Sequence, residues 1–221
     1  MTKVKLCGLR REEDIEAANG LQPDYIGFVF AEKSRRAVTR ETAARLKSLL
    51  APGIPAVGVF VNAQPETVAY LLEDGIIDLA QLHGQEDADY IARLRALTDR
   101  PLIQAFRVRT AEDVKRAEQS PADYILLDAG AGDGKTFEWE LAGSVLRPYF
   151  LAGGLTPENA GEAVARLHPF ALDVSSGIET DGGKDPEKMR AFMCAVKGRM
   201  DRCPIRGDAS GSTAGSISRK R

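Results

Sequence analysis

The chain has 221 residues, 43% of them hydrophobic and 28% charged, with 30 Lys and Arg against 32 Asp and Glu. A formal charge of −2 gives no basic field to recruit nucleic acid, and no run reaches the roughly 20 apolar residues of a membrane helix. Three cysteines, Cys7, Cys194 and Cys203, show no CxxC spacing, which predicts reduced thiols in a cytoplasmic protein, with neither a disulfide framework nor structural zinc. The first residues enter a charged, strand-like pattern directly, with no secretory signal in it.

Eight short apolar runs follow in chain order: 4–7, 25–30, 56–61, 77–82, 102–108, 124–128, 149–152 and 171–174. The first alternates, with Val4 and Leu6 between Lys3 and Lys5, and stops abruptly at Cys7-Gly8. Several of the others are near-continuous in Val, Ile, Leu and Phe, the pattern of parallel strands buried on both faces. Helical stretches lie between them. The stretch 11–19 closes at Gly20, a natural position just past a helix end. Thr110 with Asp113 forms a variant capping box, and Thr156-Pro157 and Asp185-Pro186 each read as a cap followed by a first-turn proline. After the last of these, Met189, Phe192, Met193 and Val196 fall on one stripe and are core.

Strands alternating with helices predict a parallel α/β fold. Eight of them predict a single (β/α)8 barrel over residues 1–200, compact beside the typical ~250 residues. An open doubly wound sheet would carry a glycine-rich loop after its first strand, and only Gly8 is there. From about Asp201 to Arg221 small and polar residues replace all periodicity, which predicts a disordered tail.

Barrel chemistry gathers at the C-terminal strand ends. Those ends carry Cys7, then Ser34-Arg35-Arg36, Asn62, Gln81-Leu82-His83-Gly84, Arg107, Asp128, Gly153-Gly154 and Asp173 with Ser175-Ser176-Gly177. Glycine loops after strands seven and eight are where barrels commonly hold phosphate, through exposed backbone N–H groups. A thiol and a carboxylate on different strands can exchange protons with one substrate. Asp128 ends an apolar strand, where a carboxylate without a task or partner is costly. Taken alone, Cys7 would read as a small buried hydrophobe. His83 fits a satisfied loop residue as well as a substrate contact, and Arg36 fits a solvated face as well as a carboxylate clamp. No metal-ligand spacing and no nucleotide loop occurs, so the residues imply no metal and no cofactor.

The segments "KLCGLR", "GFVFAEKSRRAV", "GVFV", "QLHG", "LLD", "GKTFEW", "LAGGLTPEN" and "DVSSGIE" followed by "GGKD" occur in this order over roughly residues 3 to 197. In this the chain closely resembles the phosphoribosylanthranilate isomerases of tryptophan biosynthesis. The resemblance implies a cofactor-free barrel that rearranges N-(5-phosphoribosyl)anthranilate to 1-(2-carboxyphenylamino)-1-deoxyribulose 5-phosphate. It implies Cys7 as general base, Asp128 as general acid and Arg36 at the anthranilate carboxylate. Gly153, Gly154, Ser175, Ser176 and Gly177 fall at the phosphate site, and His83 is taken as a further substrate contact. The loop after Asp128 departs from the family's usual "GGSGKTFDW" at Ala131, Asp133 and Glu138. Asp133 adds a negative charge where an anionic substrate is expected.

The expected chemistry sets requirements. Asp128 must hold a proton for the ring oxygen although a free Asp sits near pKa ~3.9, and Cys7 must act as a thiolate although a free thiol sits near ~8.5. A related histidine-pathway isomerase would place an aspartate where Cys7 stands. A Cys7–His83 nucleophile pair would need strands one and four to meet across the barrel. A silent binding barrel would not need an intact acid, base and phosphate loops. The expected partner is one phosphorylated small molecule, with no nucleic acid, no membrane, and a monomeric chain.

Overall fold

The computed structural model describes residues 1–129 and 136–198. Its strands are Lys3–Cys7 (β1), Tyr25–Val29 (β2), Ala56–Phe60 (β3), Leu79–Leu82 (β4), Leu102–Arg107 (β5), Tyr124–Asp128 (β6), Tyr149–Ala152 (β7) and Ala171–Val174 (β8). Each pairs in parallel with the next, and β8 returns to β1 with Lys5 opposite Asp173. The helices are Glu12–Leu21 (α1), Arg40–Leu49 (α2), Pro65–Glu73 (α3), Ala88–Arg95 (α4), Ala111–Glu118 (α5), Thr136–Gly143 (α6), Pro157–Leu167 (α7) and Pro186–Lys197 (α8). A hairpin of Glu179–Thr180 (β9) and Gly183–Lys184 (β10) lies between β8 and α8. This is the predicted (β/α)8 barrel.

Period-two alternation sorts the strand side chains. Val4, Leu6, Ile26 and Phe28 point outward into one large core beneath the helices. Tyr25, Val57, Leu79, Ile103, Leu126, Phe150 and Ala171 form a separate cluster that plugs the barrel interior. Lys5 lies one alternation further along its strand than Lys3 and is fully buried, so the interior changes from apolar plug to charged layer toward the C-terminal rim.

The helix starts follow their caps. Thr110 accepts from Asp113 N–H, and Asp113 accepts in return from Thr110 N–H. Asn159 accepts from Thr156 N–H, and Asp185 accepts from the N–H groups of Glu187 and Lys188. Met189, Phe192, Met193 and Val196 are all buried.

Two boundaries differ from expectation. Helix α1 passes through Gly20 and ends on Gln22, which adopts the left-handed conformation at φ 49°. The two extra residues pack Leu21 on the core, and Gln22 N–H still reaches the Ala18 carbonyl. The run at 77–82 becomes a strand only at Leu79, because Ile76 and Ile77 donate backward to the Leu71 carbonyl and close α3. Cys7 is a free buried thiol, but Cys194 is disulfide-bonded, correcting the expectation of reduced thiols. A test for CxxC spacing does not see a bridge at another separation. Ala131, Asp133 and the tail from Asp201 lie outside the described residues, as does the side chain of Glu138.

Candidate active site

A cleft of about 390 Å³ opens at the C-terminal ends of the strands. It is lined by Cys7, Arg36, His83, Asp128, Gly153, Gly154, Ser175 and Ser176, which the sequence had singled out, and also by Gln81 and Asp173. Gly177 is not on its wall. It packs behind, where a Cβ would sit 1.9 Å from the Leu155 carbonyl oxygen, so only glycine lets the loops after β7 and β8 approach this closely.

Cys7 ends β1 beside Gly27 of β2, whose missing side chain makes room for the sulfur: a Cβ there would lie 2.7 Å from Sγ. Lys5, two residues earlier on the same face, donates from Nζ to Cys7 Sγ at 3.3 Å. The same Nζ donates to Asp173 at 3.1 Å and to Gln81 Oε1 at 2.7 Å. Burial alone would lower the Lys5 pKa, but Asp173 and Cys7 outweigh it and hold the ammonium above its ordinary range. Burial pushes the Cys7 thiol up, against the opposing pull of Lys5. Desolvation therefore wins over the neighbouring cation.

Asp128 ends β6 in register with Arg107 on β5. Its Oδ2 lies 3.4 Å from His83 Nε2, and His83 Nδ1 lies 2.8 Å from Gln81 Nε2. His83 thus faces Asp128 and Gln81, while Cys7 is bonded by Lys5. That arrangement gives no Cys7–His83 nucleophile pair.

Arg36 follows β2 and passes over Gly8, which has φ 81° and whose Cβ would meet Arg36 Cδ at 2.5 Å. Its fork is filled from within the chain: Nε donates to Glu179 Oε1 at 2.6 Å and Nη2 to Oε2 at 2.9 Å. Glu179, on β9, also accepts from Arg35 and from the buried Lys184. Burial would raise its pKa, but the hydrogen bonds from Arg36 and Lys184 outweigh that and hold it down at about 2. The planar paired contact expected for a substrate carboxylate is therefore made to Glu179.

Gly153 and Gly154 both have positive φ, 93° and 61°, a conformation that glycine adopts without strain. Asn159 of α7 holds the Gly154 carbonyl at 2.9 Å. Across from them, Ser175 Oγ donates to the Cys7 carbonyl at 3.1 Å and Lys184 Nζ donates to the Ser175 carbonyl at 2.9 Å. This rim of backbone and a nearby buried cation can receive an anion. Among the described residues, no group of three or more His, Cys, Asp or Glu side chains could hold a metal ion, and no helix is long and apolar enough to cross a membrane.

Sequence reading placed Gln81 and Asp173 at strand ends without giving them a role, and passed over Lys5, Glu179 and Lys184. A signal for one of them was present: in "KVKLC" Lys5 shares its strand face with Cys7. Glu179 and Lys184 stand in the motifs "DVSSGIE" and "GGKD", but nothing local to them shows that the β9–β10 hairpin folds back toward the end of β2.

A closed eight-stranded barrel with a thiol, a carboxylate and glycine loops around one cleft at its C-terminal rim defines the class of (β/α)8 barrel enzymes. A family model described as N-(5'phosphoribosyl)anthranilate (PRA) isomerase matches residues 4–195. The chain belongs to this family and is an isomerase. An N-(5'-phosphoribosyl)anthranilate isomerase of Endomicrobium trichonymphae is 45% identical over 194 residues, covering 86% of this chain and 95% of that one. A phosphoribosyl anthranilate isomerase crystallised with reduced 1-(o-carboxyphenylamino)-1-deoxyribulose 5-phosphate is 35% identical, with a TM-score of 0.80 over 90% of this chain and all (100%) of that one. A structure of monomers generated from the dimeric enzyme of Thermotoga maritima is 36% identical, also at a TM-score of 0.80, over 90% and 100% of the two chains.

Proposed function

We propose that the chain catalyses the Amadori rearrangement of N-(5-phosphoribosyl)anthranilate to 1-(2-carboxyphenylamino)-1-deoxyribulose 5-phosphate, a step of tryptophan biosynthesis, by acid–base catalysis without a cofactor. The observation that carries it is the meeting of Cys7 and Asp128 on one cleft, with the glycine loops of β7 and β8 on its rim. A relative crystallised with the reduced form of this product supports the substrate class.

In this reading Asp128 gives a proton to the ribose ring oxygen as the bond from C1 to that oxygen breaks. The anilino nitrogen lone pair forms the C1=N iminium. Cys7 then removes the C2 proton, the electrons pass to the iminium nitrogen, and the resulting enolamine becomes the ketone as C1 takes up one proton and the C2 hydroxyl gives one up. The Cys7 base works from its thiolate, which burial disfavours and Lys5 Nζ at 3.3 Å stabilises. The loops at Gly153-Gly154 and Ser175–Gly177 take the phosphate, with Lys184 behind Ser175. His83 meets the substrate from beside Asp128. Glu179 takes the Nε–H and one Nη2–H of Arg36, which leaves Nη1 and the second Nη2 hydrogen to meet the anthranilate carboxylate.

The test is incubation with freshly prepared phosphoribosylanthranilate, following the loss of its fluorescence. Turnover is expected in the wild type. Cys7→Ser and Asp128→Asn should each lower kcat by roughly 10² to 10⁴-fold with substrate binding kept. Near wild-type kcat in either variant would remove that residue from its role.

A further inference from the structure

The buried amide of Gln81 has a task that its surroundings define. A lysine ammonium carries donors and no acceptor. The Gln81 atom 2.7 Å from Lys5 Nζ must therefore be the carbonyl oxygen, which settles which way the amide faces. Lys5 is itself fixed as a cation by Asp173 at 3.1 Å, and Gln81 is only 1% exposed, so neither group has room to turn. The other end of the amide, a nitrogen with two hydrogens and no lone pair to offer, then faces His83 Nδ1 at 2.8 Å. Only an unprotonated Nδ1 makes a hydrogen bond there. The ring hydrogen must sit on Nε2, which is the atom that faces Asp128 Oδ2 at 3.4 Å.

We propose that Gln81 is a positioning residue of the reaction: it carries the orientation imposed by the Lys5–Asp173 pair to His83, locks that imidazole in its Nε2–H form, and so keeps an N–H donor against Asp128. Its catalytic significance rests on the acid role of Asp128 proposed above. Once Asp128 has delivered its proton, its carboxylate meets a donor already in place, with no reorganisation at the moment of transfer. The opposite tautomer would set a nitrogen lone pair against that carboxylate. The four side chains also tie the two ends of the chemistry together, since Lys5 is bonded to Cys7 as well as to Gln81.

The tautomer is readable without turnover. The chain has two histidines, and long-range proton–nitrogen correlation on the ¹⁵N-labelled full chain separates them. His168→Asn assigns the signals, because His168 is an exposed helix cap at φ 45°, a conformation asparagine tolerates. We expect His83 protonated at Nε2 and not at Nδ1; an Nδ1–H form in the wild type overturns the proposal. Gln81→Glu replaces the donor facing Nδ1 with an acceptor. It should move a proton onto Nδ1 and lower kcat by about tenfold or more, a larger change than that in KM. A folded Gln81→Glu protein with unchanged His83 signals or wild-type kcat overturns the proposal too. If that variant does not fold, the wild-type tautomer decides alone. Failure here leaves the Cys7→Ser and Asp128→Asn results untouched, and those test the acid and base roles themselves.

Discussion

Arg36 is anchored before it is asked to bind anything. Its Nε and Nη2 are held by Glu179, which positions the side chain before any substrate arrives. Arg36→Met keeps much of the apolar stem and removes the donor proposed to meet the ring carboxylate. A hydrogen bond to a charged group contributes roughly 1.5–3 kcal/mol, so KM should rise about ten- to a hundredfold with kcat little changed. An analogue without the ring carboxylate should bind both proteins alike; equal weakening for the analogue would show that Arg36 is not the clamp. Glu179 supplies a pH signature. Its folded pKa is about 2 against an ordinary 4.5, so its contribution to stability is present above about pH 4.5 and is lost as pH falls toward 2. In urea unfolding across that window, Glu179→Gln should start less stable and lose less. Parallel acid limbs for the two proteins would contradict this assignment.

At the scale of the element, the eight strands were legible because parallel strands buried on both faces read as apolar runs, and β6, β7 and β8 begin and end where the runs do. Helix caps were legible for the same local reason, since Thr110 and Asp185 each accept from N–H groups of their own first turn and Asn159 accepts from the Thr156 N–H. The end of α1 was not, because packing of Leu21 on the core overrides the preference of Gly20 for a helix terminus. Cys7, Asp128 and the glycine loops were legible from their places at strand ends and from the family's motifs. The charged layer of Lys5, Gln81 and Asp173 was not, because it exists only where β1, β4 and β8 converge inside the barrel. That layer makes β1 and β8 interdependent. Lys5→Met leaves Asp173 buried without its cation and should cost about 3–5 kcal/mol in urea unfolding, the usual consequence of breaking one side of a buried pair. Adding Asp173→Leu should recover much of that loss. A double variant no more stable than the single one would mean that Lys5 acts through its volume and not its charge.

The large apolar side chains exposed on the described surface, Leu49, Val61, Tyr70, Leu97 and Leu146, sit on different helices and loops and make no single stripe. The chain should therefore sediment as a monomer at 23.9 kDa, unlike the dimeric relative from Thermotoga maritima. A mass of twice that value would place an interface on the helical shell. The pairing of Lys5 with Asp173 has a consequence in time as well as in space. The two residues are 168 positions apart, so a growing chain carries its lysine through all of that synthesis before its aspartate exists. Until then β1 has no partner on one edge and its ammonium has no counter-charge in the interior. The last strand to arrive closes the barrel and in the same step gives Lys5, which bonds Cys7, its counter-charge, so a chain without β8 has neither a closed sheet nor the ion pair beside its thiol.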